Sequence, residues 1–381
     1  MEMNFRFSCP VQVHFCNGIS NRLPDYVKSM KRIAVITDAN IAKQDWFASI
    51  IENIKKNHIE CVICDLVVCE PTDDSVNRVA AYIRKQGLTF DGILGIGGGS
   101  CMDTAKAVNV LLSNNSCKIE EFLVPNRKEF AVNHPMILIP TTAGTGAEVT
   151  RGVVISNKQL GYKRGFGTGG CYATIALIDP TLGKTLNKTF IASTGLDAFC
   201  HALESYLVNK TNPLCKQLSL AAIEMIWNNL LLYYEKNDFE ARSNMFYASM
   251  MATLSFSTGV GLTYSHSISD ILGALYPIPH GLASVYTIPS TVSLFEDSSE
   301  DISLLKKRLN INKLSEAIIT WMNKLNVPHY TTYFPSMSKN QLKSLQEQVY
   351  QNCYRRNGLD ENQLYWVLQN SFGEEKYVCD Y

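Results

Sequence analysis

An α/β domain built on a parallel sheet, followed by an all-helical domain, is the architecture this sequence predicts. Three observations predict it. Short β-branched runs alternate with amphipathic stretches through the first half, which is the pattern of a parallel sheet covered by helices. Two of those runs lead straight into glycine-rich turns. Beyond Pro180 the strand signals fade, and long segments with helical spacing take over.

In chain order, strands are expected at 33–37, 61–68, 92–96 and 136–140, with further strands at 152–156 and 173–179. Helices are expected between them at 45–56, 74–86 and 103–112. The second half predicts helices at 190–207, 213–234, 240–256 and 311–325, and the polar stretches 297–307 and 335–343 read as connections. The boundary falls near residue 184, giving domains 1–184 and 185–381. No internal repeat and no low-complexity segment interrupts them.

Composition narrows the function. Thirty-five basic residues balance 35 acidic ones, so no nucleic-acid partner and no attraction to a charged membrane surface is expected. No apolar run approaches the roughly 20 residues that span a bilayer. The first ten residues lack a basic stretch followed by an apolar one, so a cytoplasmic location is expected. The 12 cysteines are scattered without framework spacing. Cys61 and Cys64 stand three apart on a predicted strand and so point to opposite faces, which reads as buried thiols and not as a metal pair.

The run 93–96 leads into Gly97, Gly98, Gly99 and Ser100, then a helix start through Asp103. That order lets backbone amides approach a phosphate, with the helix terminus adding partial positive charge. A tight turn without a ligand would read the same. The ordinary G-x-G-x-x-G spacing is not met, because its sixth position, counted from Gly95, is Ser100. A second loop, from Pro140 through Thr141, Thr142 and Thr145 to Glu148, follows the next strand. Ligands collect at such strand ends in open α/β sheets. Asp38 closes the first strand, where a carboxylate can accept from ribose hydroxyls or cap the following helix.

Asp197 and His201 are four apart on a predicted helix and therefore share a face. Alone, such a pair is as easily a surface hydrogen bond. His266 and His280 follow in 264–281, the latter between Pro279 and Gly281, and the chain has only seven histidines. One carboxylate with three imidazoles suits Zn²⁺ or Fe²⁺. His14, His58, His134 and His329 have no such company.

Taken together, segments 97–107, 140–150, 194–204 and 266–281 resemble those of the iron-containing (group III) alcohol dehydrogenase family. The resemblance covers most of the chain in the same order. It implies a dinucleotide-binding α/β domain and an all-helical metal-binding domain, the two-domain plan shared with dehydroquinate synthase, with the active site between them. It implies metal ligation by Asp197, His201, His266 and His280. It also implies contacts to NAD, more than NADP, from Asp38, Gly97, Gly98, Gly99, Ser100, Asp103, Thr141, Thr142 and Thr145, with Lys163 near the nicotinamide. A homodimer and a small alcohol or aldehyde substrate follow from the same likeness. Where many members carry a second histidine four residues after the third ligand, this chain has Asp270. Cys171-Tyr172-Ala173 likewise replaces the usual Leu-Leu-Pro. Both departures put substrate and proton route in question. Asp270 is the residue expected to add a fifth metal ligand or to relay a proton, and Arg151 the one expected to meet an anionic substrate tail, although it reads more readily as a structural salt-bridge partner. Glycerol dehydrogenase-like or dehydroquinate synthase-like chemistry, or a nucleotide-binding protein whose catalysis has lapsed, are the alternatives.

Overall fold

The computed structural model describes residues 5–114, 118–123, 129–157, 162–208, 212–258, 264–353 and 359–374. They fall into two compact units, one spanning Ser8–Leu186 and the other joining the N-terminal residues up to Phe7 to the stretch from Asn187 onward.

The first unit contains β1 (Gln12–Phe15), β2 (Arg32–Asp38), β3 (Glu60–Val67), β4 (Gly92–Gly97), β5 (Met136–Pro140), β6 (Val153–Asn157), β7 (Tyr162–Phe166) and β8 (Ile175–Ile178). Its helices are α1 (Leu23–Val27), α2 (Asp45–Lys56), α3 (Asp73–Lys85) and α4 (Gly99–Ser113). Six strands form a parallel sheet in the order β1-β8-β5-β4-β2-β3. Alternate side chains feed two cores on its two faces. Ala34, Ile36, Ile93 and Leu138 pack on one face, while Ile33, Val35, Leu94, Ile96, Ile137 and Ile139 pack on the other. This is why the strands read as nearly continuous apolar runs, and each such buried side chain stabilises the fold by about 1.5–3 kcal/mol.

The chain runs outward from β2 to β3, then returns to lay β4, β5 and β8 on the other side of β2. The order therefore reverses between β2 and β4, and the carboxyl ends of two such strands bound the crevice that ligands use in open α/β sheets. Asp38 ends one of them and Gly97 the other.

Two expectations need correction. The predicted strand at 152–156 is present as β6, but it lies outside the parallel sheet and pairs antiparallel with β7 in a separate hairpin. The helix expected at 103–112 starts four residues earlier, at Gly99, because the glycine loop already has helical geometry there.

The second unit holds α5 (Lys188–Leu207), α6 (Pro213–Lys236), α7 (Phe239–Thr258), α8 (Tyr264–Leu275), α9 (His280–Val285), α10 (Ile288–Phe295), α11 (Glu300–Leu309), α12 (Leu314–Lys324), α13 (Lys339–Cys353) and α14 (Glu361–Phe372). No strand occurs among its described residues. The stretch 297–307, expected as a connection, is mostly α11. Its buried stripe of Ile302, Leu305 and Leu309 has the spacing of an amphipathic helix, and Ser299 caps its start by accepting from the Ile302 amide at 3.3 Å. Part of 335–343 likewise opens α13. Among the described residues no helix is long and apolar enough to cross a membrane.

Candidate functional site

The two glycine-rich loops lie side by side because β4 and β5 are neighbours; the Thr141 amide donates to the Gly97 carbonyl at 3.0 Å. Gly97 has φ +150°, and a Cβ there would meet Cys101 Sγ at 2.5 Å. A Cβ on Gly99 would strike Thr145 Cγ2 at 2.7 Å. A side chain at Gly97 would collide with the first turn of the helix that follows it, and one at Gly99 would push the two loops apart. Gly98, Gly99, Ser100, Thr142 and Thr145 remain half-buried and so within a ligand's reach, whereas Thr141 is buried.

Asp38 performs part of its alternative duty. Its Oδ1 accepts from the amides of Asn40 at 2.8 Å and Ile41 at 3.1 Å, fixing the turn after β2. Its Oδ2 meets the Cys101 thiol at 3.4 Å, a weak donor that a ribose hydroxyl could outcompete. Burial and the neighbouring Asp38 carboxylate push the Cys101 thiol well up.

Both oxygens of Asp103 are engaged within the protein. It is 9% exposed; Oδ1 accepts from Lys106 Nζ at 3.2 Å and Oδ2 from the Val154 amide at 2.9 Å. Lys106, with no exposed surface, also donates to the Gly152 carbonyl at 2.8 Å and faces Thr150 Oγ1 at 3.4 Å. Burial raises the Asp103 carboxyl, while Lys106 and the Val154 amide lower it in part. The pair ties α4 to the β6–β7 hairpin.

Lys163, on β7, is buried and forms a very short ion pair with Glu70. Glu70 occupies the left-handed region at φ +55°, rare for a side chain of its kind, and its amide donates to Ser100 Oγ at 3.2 Å. Arg151 is exposed. The Arg164 side chain lies outside the described residues. Burial pushes the Glu148 carboxyl up to about 7, with Lys106 opposing.

In the helical unit, α5 starts at the Asn187 cap, whose side chain accepts from the Phe190 amide at 3.0 Å, and its middle is buried on nearly every side. Asp197 and His201 are 2% and 4% exposed on this helix, and His266 on α8 is 1% exposed. The three donor atoms lie within 4.8 Å of one another. The His201 and His266 rings stack at 4.4 Å and 12°. Asp197 Oδ1 stands 3.5 Å from His266 Nε2 and 3.7 Å from His280 Nε2. Asp197 Oδ1, His201 Nδ1 and His266 Nε2 are buried without a hydrogen-bond partner among the described residues.

Buried polar atoms left unpaired cost about 1–3 kcal/mol each, so a cluster of three such residues is a candidate site for a cation. A carboxylate and neutral imidazoles with no thiolate match the donor preferences of iron or zinc. Burial pushes His201 down to about 3, which keeps its ring neutral. For Asp197, burial raises the carboxyl, but His201, His280 and His266 together hold it far below the usual range. His266 is lowered by burial but pulled up to about 10 by Glu204 and Asp197, so metal entry there must expel a proton.

His280 opens α9 beside α5, with its side chain 25% exposed. The next residue explains the approach. A Cβ on Gly281 would sit 1.9 Å from the Ser193 carbonyl oxygen and 2.9 Å from Asp197 Cβ. Gly281→Ala should therefore lever α9 off α5 and carry His280 away. A stability loss of about 1–3 kcal/mol, typical of overpacking, is expected, together with weaker metal binding. Thermal melts with and without metal check both.

Three residues escaped the sequence reading. Glu204 is three positions beyond His201 on the same helix, and helical spacing alone could have found it. Glu70 gave no local signal beyond its charge, and Lys106 only its place three residues after Asp103 on one helix.

A glycine cradle at a sheet reversal in one unit, and a buried carboxylate–imidazole cluster in a helical one, define a class of metal-dependent, nucleotide-linked oxidoreductases. Comparison with known proteins agrees. Residues 10–180 match the iron-containing alcohol dehydrogenase family, and residues 191–326 match the C-terminal domain of the Fe-containing alcohol dehydrogenase family. Sulfoacetaldehyde reductase of Bilophila wadsworthia is 34% identical over 282 residues, covering 72% of this chain and 70% of that protein. Choline dehydrogenase of Bacillus subtilis is 31% identical over 288 residues, or 74% and 70% of the two chains. An iron-containing alcohol dehydrogenase from Thermotoga maritima superposes with a TM-score of 0.83 at 25% identity, covering 97% of this chain and 99% of its own. The chain belongs to the iron-containing alcohol dehydrogenase family and is an oxidoreductase of alcohols and aldehydes.

Proposed function

We propose that this enzyme transfers a hydride between NAD(H) and a small alcohol or aldehyde, with a divalent cation, iron or zinc, held by Asp197, His201, His266 and His280. The observation that carries the reading is the convergence of buried donor atoms from Asp197, His201 and His266 within 4.8 Å of one another. When bound, the cation supplies Lewis acidity towards an alcohol oxygen and the nicotinamide ring supplies the hydride acceptor.

The chain's own residues supply the rest. Asp197 contributes the negative charge that a dication requires in a buried site; neutral His201, and His266 once metal entry has expelled its proton, contribute imidazole nitrogens without adding positive charge. Asp270, half-buried one helical turn beyond His266, is the carboxylate proposed to take up the alcohol proton and pass it on. Gly98, Gly99 and Ser100 offer the start of α4 to a pyrophosphate. Thr142 and Thr145 line the adjoining loop. Lys163 lies beyond Ser100, its charge offset by Glu70. The engaged carboxylate of Asp103 suits a part in shaping the cradle rather than touching the dinucleotide.

Asp38, at the end of β2, is placed to accept from the ribose and to repel a 2′-phosphate. NAD(H) is expected to exceed NADP(H) in kcat/KM by about ten- to a hundredfold, since one like-charge placement is worth roughly 1–3 kcal/mol. Steady-state kinetics with both cofactors test this, and equal values would refute it.

A second reading adds an anionic tail to the substrate. The likeness to sulfoacetaldehyde reductase and the exposed guanidinium of Arg151 favour it, since arginine grips sulfonates and carboxylates in two places. A matched pair of aldehydes, one carrying a terminal sulfonate or carboxylate and one neutral, should be turned over unequally, and Arg151→Ala should narrow the gap. Equal loss on both would exclude the arginine. A homodimer working in the cytoplasm fits this reading, and light scattering of the purified enzyme would measure the assembly.

A further inference from the structure

Glu204 is 6% exposed and lies seven residues beyond Asp197 on α5. Its Oε1 accepts from the Ser265 amide at 2.9 Å and from the Ser265 hydroxyl at 2.7 Å. Its Oε2 makes a very short contact with His266 Nδ1. An ionised carboxylate only accepts hydrogen bonds, so Nδ1 must carry the proton. His266 Nε2, the nitrogen facing Asp197, is then the one left with a lone pair for a cation. We infer that Glu204 is a positioning residue that fixes His266 in the ring orientation and tautomer the metal needs, an inference that rests on the metal assignment proposed above. The Ser265 contacts are what make it effective. A carboxylate held by two donors at one oxygen cannot swing away from the histidine at the other, so α5 and α8 are locked at the height where His266 meets Asp197. Changing a partner of this kind behind a ligand typically costs about 10–100-fold in metal affinity.

The near-isosteric change Glu204→Gln separates positioning from packing. The Ser265 backbone amide cannot become an acceptor, so the amide oxygen of the new side chain must turn towards it. The NH₂ group then faces His266 Nδ1 and donates, which forces the ring proton onto Nε2, the wrong nitrogen. The volume and the α5–α8 contact are unchanged.

Zn²⁺ affinity measured by competition with a chromophoric chelator, together with the melting temperature of the metal-free protein, tests the inference. Glu204→Gln is expected to weaken Zn²⁺ binding by about 10–100-fold, a larger loss than any accompanying fall in the metal-free melting temperature accounts for. A Zn²⁺ affinity equal to that of the wild type overturns it. So does a loss of affinity no greater than the accompanying loss of folded protein. Should Glu204→Gln fail to fold, Ser265→Ala serves instead. It keeps the carboxylate but removes one of its anchors, and it is expected to weaken Zn²⁺ binding by a smaller factor; an unchanged affinity overturns the inference. A wild-type chain that binds no Zn²⁺ would refute the metal assignment itself, an outcome distinct from wild-type binding that Glu204→Gln leaves intact.

Discussion

Asp197→Ala is expected to strip the enzyme of bound metal and to lower turnover by at least about a thousandfold. Asp197 brings the only negative charge among the four proposed ligands, and its Oδ1 faces both His266 and His280. Without it, a dication in a site this buried would have imidazoles alone to offset the loss of its water shell. Several kcal/mol of charge stabilisation in the transition state go with the metal, and each 1.4 kcal/mol is a factor of ten in rate. Elemental analysis of the purified variant reads the first effect and steady-state kinetics the second. His280→Ala should be milder, because His280 is the most exposed of the four and lies outside the tight trio. Stoichiometric metal with full activity in Asp197→Ala would end the assignment.

The second large effect belongs to the other unit. Lys106→Met is expected to destabilise the fold by about 3–5 kcal/mol, the usual consequence of leaving one member of a buried ion pair alone. Asp103 would keep the Val154 amide but lose its counter-charge, and the Gly152 carbonyl would lose its donor. Against a total stability of roughly 5–15 kcal/mol this is severe. The double change Asp103→Asn with Lys106→Met should recover much of the loss, since the stranded charge disappears with its partner. Urea midpoints of the three variants decide the matter. Additive losses would show that the two side chains act independently.

How much of this was legible beforehand depended on whether the signal was local. The glycine loop was legible because Gly97 and Gly99 are required by clashes within two adjoining turns. Asp197 and His201 were legible because helical periodicity alone places them on one face. Bringing His266 and His280 to the same point took the family likeness, since nothing in their spacing states which helix they meet. Asp103 was read as a cofactor contact although Lys106, three residues on, is a natural helical partner. What no local pattern could reveal is that both side chains turn inward to the β6–β7 hairpin. Of that hairpin only the first strand was read, at 152–156, because a β-branched run does not declare its neighbour. Glu70 is the extreme case. Its importance comes from a backbone angle and a lysine over ninety residues away.

The contacts of the first unit also close on themselves. Ser100 opens α4 and holds the Glu70 amide; Glu70 holds Lys163 on β7; β7 pairs with β6; and β6 returns to α4 through Val154 and Asp103. A closed ring behaves unlike an open chain of contacts. With one link cut, the remaining arc still spans every element, whereas two cuts release a segment outright. Paired changes on opposite arcs, such as one at Glu70 and one at Asp103, should therefore fall outside simple addition even though the residues do not touch. Redesign of the proposed nucleotide site that includes Ser100 draws the whole hairpin into the problem, and tolerance to a first substitution there is a poor guide to the second.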